Sequence, residues 1–221
     1  MTKSDSTPKI LCVGVNYRPH IEEMGRDIPG YPVVFTRFTS SLVGPGEPVI
    51  RPRASEQFDF EGELAIVIGK PARHVSRGDA LDYVAGYCCF LDGSVRDWQR
   101  HTGQFTAGKN FDRSGAIGPM VPTADVPDHT ALELTTRVNG EVMQRGRVGD
   151  LVFDIPQLIE YCSTFTELRP GDVIATGTPG GVGAARTPPV WLRDGDLVEV
   201  EISGIGVLRN PVRDESGDKR P

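Results

Sequence analysis

The sequence is poor in cysteine and has no long apolar run. Most of its four cysteines lie in apolar strand or helix patterns, and the adjacent Cys88 and Cys89 would point to opposite faces of a strand. Such an arrangement does not suit a disulfide framework, so a reducing compartment is expected. No apolar stretch is long enough to cross a bilayer, and the polar segment from Met1 to Lys9 contains no hydrophobic signal segment. We therefore predict a cytoplasmic protein without a membrane partner.

Basic residues are also in the minority. The 24 Lys and Arg residues are outnumbered by 30 Asp and Glu residues, which gives a formal net charge of -6. No basic cluster is long enough to follow a phosphate backbone, so nucleic-acid binding is not expected. The 221 residues suffice for one domain with a substantial core. We predict a disordered tail over residues 1–9, a single domain over 10–212 and a polar tail over 213–221.

The predicted elements follow one another irregularly. There are 26 glycines and 18 prolines but few long helical patterns, which favours a β-rich, turn-dense α+β fold with a mixed sheet. Apolar residues at helical spacing predict an amphipathic helix from Asp154 to Phe165, with Asp154 as its cap. The pair Asn139-Gly140 predicts a hairpin between two strands.

Two glutamates separated by one residue precede a continuously apolar stretch of the chain. Glu61 and Glu63 would project to the same face of a strand, because side chains alternate along it. The run from Leu64 to Ile68 is typical of a strand covered on both faces. Two carboxylates at the mouth of such a strand need a compensating charge, which a hard divalent cation supplies. Asp92, which follows the apolar run from Val84 to Leu91, is the best candidate for a third oxygen ligand.

A second pair of glutamates has the same spacing in a different context. Glu199 and Glu201 alternate strictly with apolar residues from Leu197 to Ile202, which is typical of an antiparallel strand with one wet face. We interpret this second pair as solvated. Acidic patterns are more often surface faces than ligand sets, so the apolar continuation and Asp92 are what favour a metal site at the first pair.

A glycine-rich segment, Gly177 to Gly183, follows a strand predicted to end at Thr176. A Walker loop would need a lysine near its end, and a dinucleotide fingerprint would need a following helix. Pro188 and Pro189 forbid that helix. We interpret the segment as a loop whose backbone amides hold a carboxylate.

The polar segment from Asn16 to Gly30 is predicted to be a mobile loop that contains a short helix. Pro19 stands at a possible first helical position, just before His20 and Glu23. Residues three apart are neighbours on one helical turn, so Glu23 could orient the imidazole of His20 and stabilise its cation. For a histidine taken alone, a capping or surface role is the commoner one.

Several short motifs occur in a fixed order between Cys12 and Pro211. They are Gly14-Val15-Asn16-Tyr17 with His20 and Glu23, Glu61-Gly62-Glu63-Leu64, Asp92-Gly93-Ser94-Val95-Arg96-Asp97-Trp98-Gln99, Gly108-Lys109-Asn110-Phe111-Asp112, Val138-Asn139-Gly140-Glu141 and Gly171-Asp172-Val173-Ile174-Ala175-Thr176-Gly177-Thr178-Pro179. Each is weak alone, but in this order they resemble the fumarylacetoacetate hydrolase (FAH) family in its short form, which has only the catalytic domain. The resemblance covers nearly the whole chain.

The resemblance implies a fold, a metal and a set of site residues. The fold would be a β-rich mixed-sheet roll of the FAH C-terminal catalytic domain type, with a few short helices and a lid near residues 16–30. Members bind Mg²⁺ or Mn²⁺ and usually form homodimers. The implied metal ligands are Glu61, Glu63 and Asp92, the implied catalytic residues are His20, Glu23 and Lys109, and the implied substrate contacts are Tyr17, Arg37, Gln99, Gly177 and Thr178. At Arg37 many members have a lysine, and the rigid guanidinium could hold a second substrate carboxylate.

The resemblance also implies the chemistry of a small oxo-carboxylic acid. Our leading expectation is hydrolysis of a C–C bond in an acylpyruvate, fumarylpyruvate or fumarylacetoacetate-like acid during aromatic catabolism. His20 would activate water, and the metal with Lys109 would stabilise the departing enolate. The alternative is a 2-oxo acid decarboxylase, hydratase or keto–enol tautomerase at the same metal site, acting for example on oxaloacetate or 5-oxopent-3-ene-1,2,5-tricarboxylate. A third alternative is a non-catalytic metal- or ligand-binding protein.

Overall fold

Strands dominate the part of the chain described by the computed structural model, residues 7–25 and 27–216. The strands are β1 (Ile10–Gly14), β2 (Val33–Arg37), β3 (Leu42–Val43), β4 (Val49–Arg51), β5 (Phe58–Asp59), β6 (Gly62–Ile68), β7 (Val84–Leu91), β8 (Ser94–Val95), β9 (Gly115–Ile117), β10 (Val121–Pro122), β11 (Glu133–Val138), β12 (Glu141–Arg147), β13 (Val173–Ala175), β14 (Leu197–Ile202) and β15 (Gly206–Asp214). The α-helices are α1 (Arg18–Glu23), α2 (Arg96–Gln99), α3 (Thr106–Lys109) and α4 (Ile155–Phe165).

Two large sheets carry the fold. The first has the strand order β2-β1-β13-β6-β7-β9-β3, with β10 paired to β7, and the second has the order β12-β11-β14-β15-β4. Strand β1 pairs with β13, β3 with β9 and β15 with β4 in parallel, whereas the other pairs are antiparallel. The predicted α+β fold with a mixed sheet is confirmed.

The main core lies between the two sheets. Strand β6 sends Leu64, Ile66 and Ile68 into the same buried cluster as Leu134 of β11 and Val200 of β14. Its opposite face carries Ala65, which belongs to a smaller cluster with residues of β1, β7 and β13. The continuously apolar run of β6 is therefore explained by burial on both faces, as its sequence predicts.

Two local predictions are confirmed. Helix α4 begins at Ile155, and the Asp154 carboxylate caps it by accepting a hydrogen bond from the Gln157 amide at 2.9 Å. Strands β11 and β12 form a hairpin around Asn139 and Gly140. Both turn residues have positive φ angles, 53° and 83°, as a type I′ turn requires.

Residues on both sides of the predicted domain limits contact the folded part of the chain. Lys9, placed by prediction in the N-terminal tail, donates its amide to Asp172 at 2.8 Å and brings its ammonium within 2.5 Å of the same carboxylate. At the other end β15 continues to Asp214, and the Glu215 amide bonds to the Arg51 carbonyl at 2.9 Å. The remaining parts of the predicted tails, residues 1–6 and 217–221, lie outside the described residues. Across residues 7–25 and 27–216, no helix combines the length and apolar character needed to span a bilayer.

Candidate active site

Strand pairing brings three carboxylates together at the ends of β6 and β7. The antiparallel register sets Gly62 opposite Leu91, so that Glu61 and Asp92 lie side by side, and the Asp92 amide bonds to the Glu61 carbonyl at 2.8 Å. Glu61, Glu63 and Asp92 each offer a carboxylate oxygen, and these three atoms lie within 4.8 Å of one another. All three side chains are buried. The convergence predicted from the sequence is present.

Two buried cations compensate part of this negative charge. The Lys109 ammonium, at the end of α3, lies 2.5 Å from Glu61 Oε2 and 2.5 Å from Asp92 Oδ2. Arg96 of α2 donates from Nε to Asp59 Oδ2 at 2.7 Å. Its Nη2 lies 2.7 Å from Glu61 Oε1, close enough for an ion pair but without the alignment of a hydrogen bond.

Arg37 lies behind Asp92 and holds it from the opposite side. Its Nη1 donates to Asp92 Oδ1 at 2.5 Å and to the Gly93 carbonyl at 2.9 Å. Its other nitrogens bond to both oxygens of Ser41 and to the Ser114 hydroxyl. A Cβ at Gly115 would stand 2.7 Å from Nη2, so the absence of a side chain there makes room for the guanidinium.

The cations do not compensate the three carboxylates equally. Burial raises the pKa of the Glu63 carboxyl well above its usual value, and the charges of Asp92 and Glu61 raise it further. Burial also acts to raise the pKa of Glu61, but Arg96 and Lys109 outweigh it and hold that pKa well below its usual value. For Lys109, burial lowers the pKa, yet Asp92 and Glu61 reverse the effect and keep the ammonium charged. Glu63 is therefore the member of the triad whose negative charge is least compensated.

The donor set fits a hard divalent cation. Three carboxylates supply oxygen ligands of the type that Mg²⁺ and Mn²⁺ prefer. One oxygen of Glu63 accepts a hydrogen bond from the Gly177 amide at 2.8 Å, which orients the carboxylate. Arg37 and Arg96 hold Asp92 and Glu61 in the same way that outer residues orient metal ligands. We conclude that Glu61, Glu63 and Asp92 could hold a metal ion.

The short helix α1 places a histidine over this centre. His20 Nδ1 lies 2.6 Å from Glu23 Oε1, and the second oxygen of Glu23 accepts a hydrogen bond from the Gly181 amide at 2.8 Å. His20 is buried and lines the same cavity as Glu61 and Glu63. The Nδ1 contact leaves Nε2 as the ring nitrogen that is available to a bound molecule.

The glycine-rich loop, Gly177 to Gly183, organises the site through its backbone amides. Gly177 has a φ angle of 104°, which glycine tolerates best, and its amide binds Glu63. The Gly181 amide binds Glu23, and the Gly183 and Ala184 amides bind the Asp59 carboxylate at 2.8 and 3.0 Å. The loop thus holds a candidate metal ligand, the partner of the helix histidine and the counter-ion of Arg96. The interpretation of the loop as a carboxylate holder agrees with these contacts, except that the carboxylates are the protein's own.

The cavity in front of the triad has a volume of about 370 Å³. Its polar lining includes most of the predicted site residues. Its remaining wall is largely apolar and comes from β1, β2 and the segments on either side of α1 and α3. The lining residues are Val13, Gly14, Val15, His20, Met24, Val33, Phe35, Glu61, Glu63, Arg96, Gln99, Arg100, Thr102, Gly103, Phe105, Lys109 and Thr178.

Three predicted substrate contacts are not among these lining residues. The amide of Gly177 is occupied by Glu63. Every nitrogen of the Arg37 guanidinium is occupied by protein oxygens, so we no longer expect Arg37 to hold a substrate carboxylate. Tyr17, the residue before α1, is buried, and its hydroxyl has no hydrogen-bond partner among the described residues. Gln99 and Thr178 do line the cavity.

The prediction missed several residues that build the site from behind. Asp59 and Arg96 form a buried ion pair that leads from the glycine-rich loop to Glu61. Asn16 donates its side-chain amide to the carbonyls of Phe153 and Thr176, at 3.0 and 2.8 Å, and so fixes the base of α1 beside the loop. Arg96 stands within a recognised motif, so its position in the sequence was the available signal.

The fold presents a carboxylate-lined pocket whose size suits a small molecule. The chain belongs to the FAA hydrolase family: the model of the fumarylacetoacetate (FAA) hydrolase C-terminal domain matches residues 9–213. The family resemblance drawn from the motifs is therefore confirmed.

Relatives in this family have more than one activity in their names. The chain is 45% identical over 207 residues to the human mitochondrial oxaloacetate tautomerase FAHD2A, which covers 92% of this chain, although the chain spans only 66% of that relative. It is 41% identical to the solved 5-carboxymethyl-2-hydroxymuconate delta-isomerase of Mycobacterium smegmatis, with a TM-score of 0.84 and coverage of 96% and 80% of the two chains. It is 32% identical to the Pseudomonas aeruginosa fumarylpyruvate hydrolase solved with Mn²⁺ and pyruvate, with a TM-score of 0.86 and coverage of 97% and 94%.

Proposed function

We propose that this protein is a divalent-metal-dependent keto–enol tautomerase of a short 2-oxo acid, with oxaloacetate as the first candidate substrate. The observation that carries the proposal is the identity of 43–45% to rat and human oxaloacetate tautomerases over 92% of the chain. The solved isomerase at 41% identity also supports a proton-transfer reaction. Hydrolysis is our leading expectation from the sequence. The proposal instead adopts the alternative given there, a keto–enol tautomerase at the same metal site.

The site is suited to moving one proton while negative charge develops on an oxo oxygen. A divalent cation held by Glu61, Glu63 and Asp92 would polarise the oxo group and stabilise that charge. The Lys109 ammonium, kept charged by Glu61 and Asp92, would add a second positive charge within the same cavity.

His20 is the candidate acid and base. Its Nε2 would take the proton from the carbon next to the oxo group, and the resulting cation would be stabilised by Glu23 at 2.6 Å. The same nitrogen would then pass that proton to the enolate oxygen to give the enol, and in the reverse direction it would take the hydroxyl proton from oxygen and return it to carbon. The exchange needs no water molecule as a reactant, and the burial of His20, itself a residue of α1, limits the contact of its ring with bulk water.

Hydrolysis of an acylpyruvate is the second candidate. It is favoured by the fumarylpyruvate hydrolase match, which covers 94% of that relative's length, whereas the tautomerases extend well beyond this chain. The same His20 and Glu23 pair would then take a proton from water. A homodimer, a role in aromatic catabolism and the cellular location stay predictions.

One set of assays separates these functions. Purified protein loaded with Mg²⁺ or Mn²⁺ is given the enol form of oxaloacetate, and ketonisation is followed by ultraviolet absorbance. Fumarylpyruvate and acetylpyruvate are tested for pyruvate release, and oxaloacetate is tested for CO₂ release. Metal-dependent ketonisation without pyruvate or CO₂ release supports the proposal. Pyruvate release from an acylpyruvate, with oxaloacetate ketonised only at the uncatalysed rate, would replace it with the hydrolase.

A further inference from the structure

One cationic side chain in the cavity has no counter-ion among the described residues. Arg96, Arg100 and Lys109 are the Lys and Arg residues among the described lining residues. Arg96 and Lys109 are buried, and each lies against two carboxylates. Arg100 is exposed, and its guanidinium makes no ion pair or hydrogen bond with the residues that the structure describes. The charge of Arg100 is therefore available to a ligand.

The position of Arg100 relative to the triad follows from the helix that carries it. Arg100 caps α2, and its amide bonds to the Arg96 carbonyl at 3.2 Å, so the helical turn includes it. Residues four apart share one face of a helix and are separated by a rise of about 6 Å. Arg96 reaches Glu61 at the triad, whereas Arg100 lies one turn away in the same cavity.

Part of the remaining cavity lining is apolar. Val13, Val33, Phe35 and Phe105 present apolar surface there. An anionic group at the end of a substrate would lose hydration against these side chains and gain a charged partner at Arg100. Met24, beside α1, lines the same cavity, so a bound molecule would be partly shielded from solvent.

We propose that Arg100 selects dicarboxylic substrates by binding the carboxylate distal to the 2-oxo acid group. The inference rests on the proposed function, because that function places the 2-oxo acid end at Glu61, Glu63 and Asp92. It adds the substrate class: a short 2-oxo diacid is preferred to a monoacid of equal length. Arg100 is a specificity residue that stays outside the proton transfer.

The experiment compares oxaloacetate with its 4-methyl ester, in which the distal group is uncharged and larger by one methyl group. Ketonisation by the Mn²⁺-loaded wild type, R100A and R100K is measured with both compounds. R100A is expected to raise KM for oxaloacetate about tenfold or more, because a hydrogen bond to a charged group contributes about 1.5–3 kcal/mol. Its kcat should change little, since the contact is equally strong before and during proton transfer. The KM of R100K for oxaloacetate should lie between the values of the wild type and R100A.

The ester supplies the decisive contrast. R100A should leave KM for the ester unchanged, and R53A, which removes an exposed guanidinium outside the cavity, should match the wild type with both compounds. Equal changes with diacid and ester, or no change with either, would overturn the assignment.

A different result would show that the proposed function is wrong while leaving the role of Arg100 open to a direct test. If the wild type ketonised neither compound, the two would be compared as ligands of the Mn²⁺-loaded protein by calorimetry. About tenfold tighter binding of the diacid, lost in R100A, would retain the role of Arg100 at a site with another reaction. Equal binding of diacid and ester would refute it.

Discussion

Two strands of this protein carry glutamates at the same spacing and use them differently. Glu61 and Glu63, at the start of β6, have side chains 7% and 2% exposed. Glu199 and Glu201 on β14 are 13% and 44% exposed. The alternation of a strand puts both members of each pair on one face. The residues that pack against that face decide whether the two carboxylates form part of a binding site.

The partners of the two pairs come from different kinds of element. Glu199 lies opposite Arg209 on β15 and pairs with it at 2.6 Å, and Glu201 pairs with Arg137 on β11 at 2.5 Å. These are neighbours within one sheet. Glu61 instead meets Arg96 and Lys109, which are brought in by two short helices. Glu199 is also less exposed than a solvated residue would be, because Arg209 covers it.

The largest expected effect comes from removing one carboxylate of each pair. E63Q should abolish metal-dependent turnover and weaken Mn²⁺ binding by at least about 100-fold, because losing a ligand should cost more than losing an outer partner. E199Q should leave both unchanged. Mn²⁺ affinity is measured by electron paramagnetic resonance or calorimetry. Equal Mn²⁺ affinity in E63Q and E199Q would remove the distinction between the two strands.

The next effect separates metal binding from proton transfer. H20A should lower turnover by about 10²–10⁴-fold, the usual contribution of a positioned acid or base, while leaving Mn²⁺ affinity at the wild-type value. His101, which stacks on Trp98 outside the cavity lining, provides the matched control in H101A. Wild-type turnover in H20A would contradict the role given to this histidine.

Arg37 and Arg209 offer a paired test of buried and exposed ion pairs. R37K should weaken Mn²⁺ binding by about 10–100-fold, because a single ammonium cannot hold Asp92, Ser41 and Ser114 together. R209K should not affect Mn²⁺ binding and should change the free energy of unfolding by about 1 kcal/mol at most. Calorimetry and urea unfolding measure the two quantities. Wild-type Mn²⁺ affinity in R37K would show that Asp92 needs no such anchor.

The smallest expected effect is a difference in how stability depends on pH. The raised pKa of Glu63 means that the folded, metal-free protein holds this proton more tightly than the unfolded chain. Its contribution to stability is complete below the unfolded pKa of about 4.3 and is lost as pH rises through the higher folded pKa. E63Q in a chelator should therefore lose less stability than the wild type as pH rises, by up to about 1.4 kcal/mol per pH unit. The test is to measure the free energy of unfolding in urea for both proteins, from the unfolded pKa upwards. Parallel dependence of this free energy on pH in E63Q and the wild type would contradict the prediction.

The triad could be predicted from the sequence because the residues that indicate it all lie in or next to two strands. The Glu-Gly-Glu spacing and the position of Asp92 after an apolar run sufficed, since the pairing of β6 with β7 brings them together. The apolar continuation of β6 also separated this pair correctly from the pair on β14. Side-chain alternation places Glu61 and Glu63 on one face, and the pairing of two neighbouring strands adds Asp92.

The sequence could not predict which way long side chains would turn. Arg37 shares a strand face with Val33 and Phe35, which line the cavity, yet Asp92 and two serines occupy its guanidinium. Choosing between substrate and Asp92 requires the positions of Ser41 and Ser114, which come from separate segments. The same holds for Tyr17, which is buried next to Asn16, whose side chain bonds to the carbonyls of Phe153 and Thr176 from distant segments.

The amide contacts of the Gly177–Gly183 loop have a consequence for how this protein could diversify. A single backbone segment sets the positions of Glu63, Glu23 and Asp59, so altering its path would disturb all three together. The cavity rim at Arg100 and Thr102 makes no such shared contact with that segment. New substrate preferences are therefore more accessible by exchanging rim side chains than by remodelling the loop, and a library aimed at altered specificity would begin there.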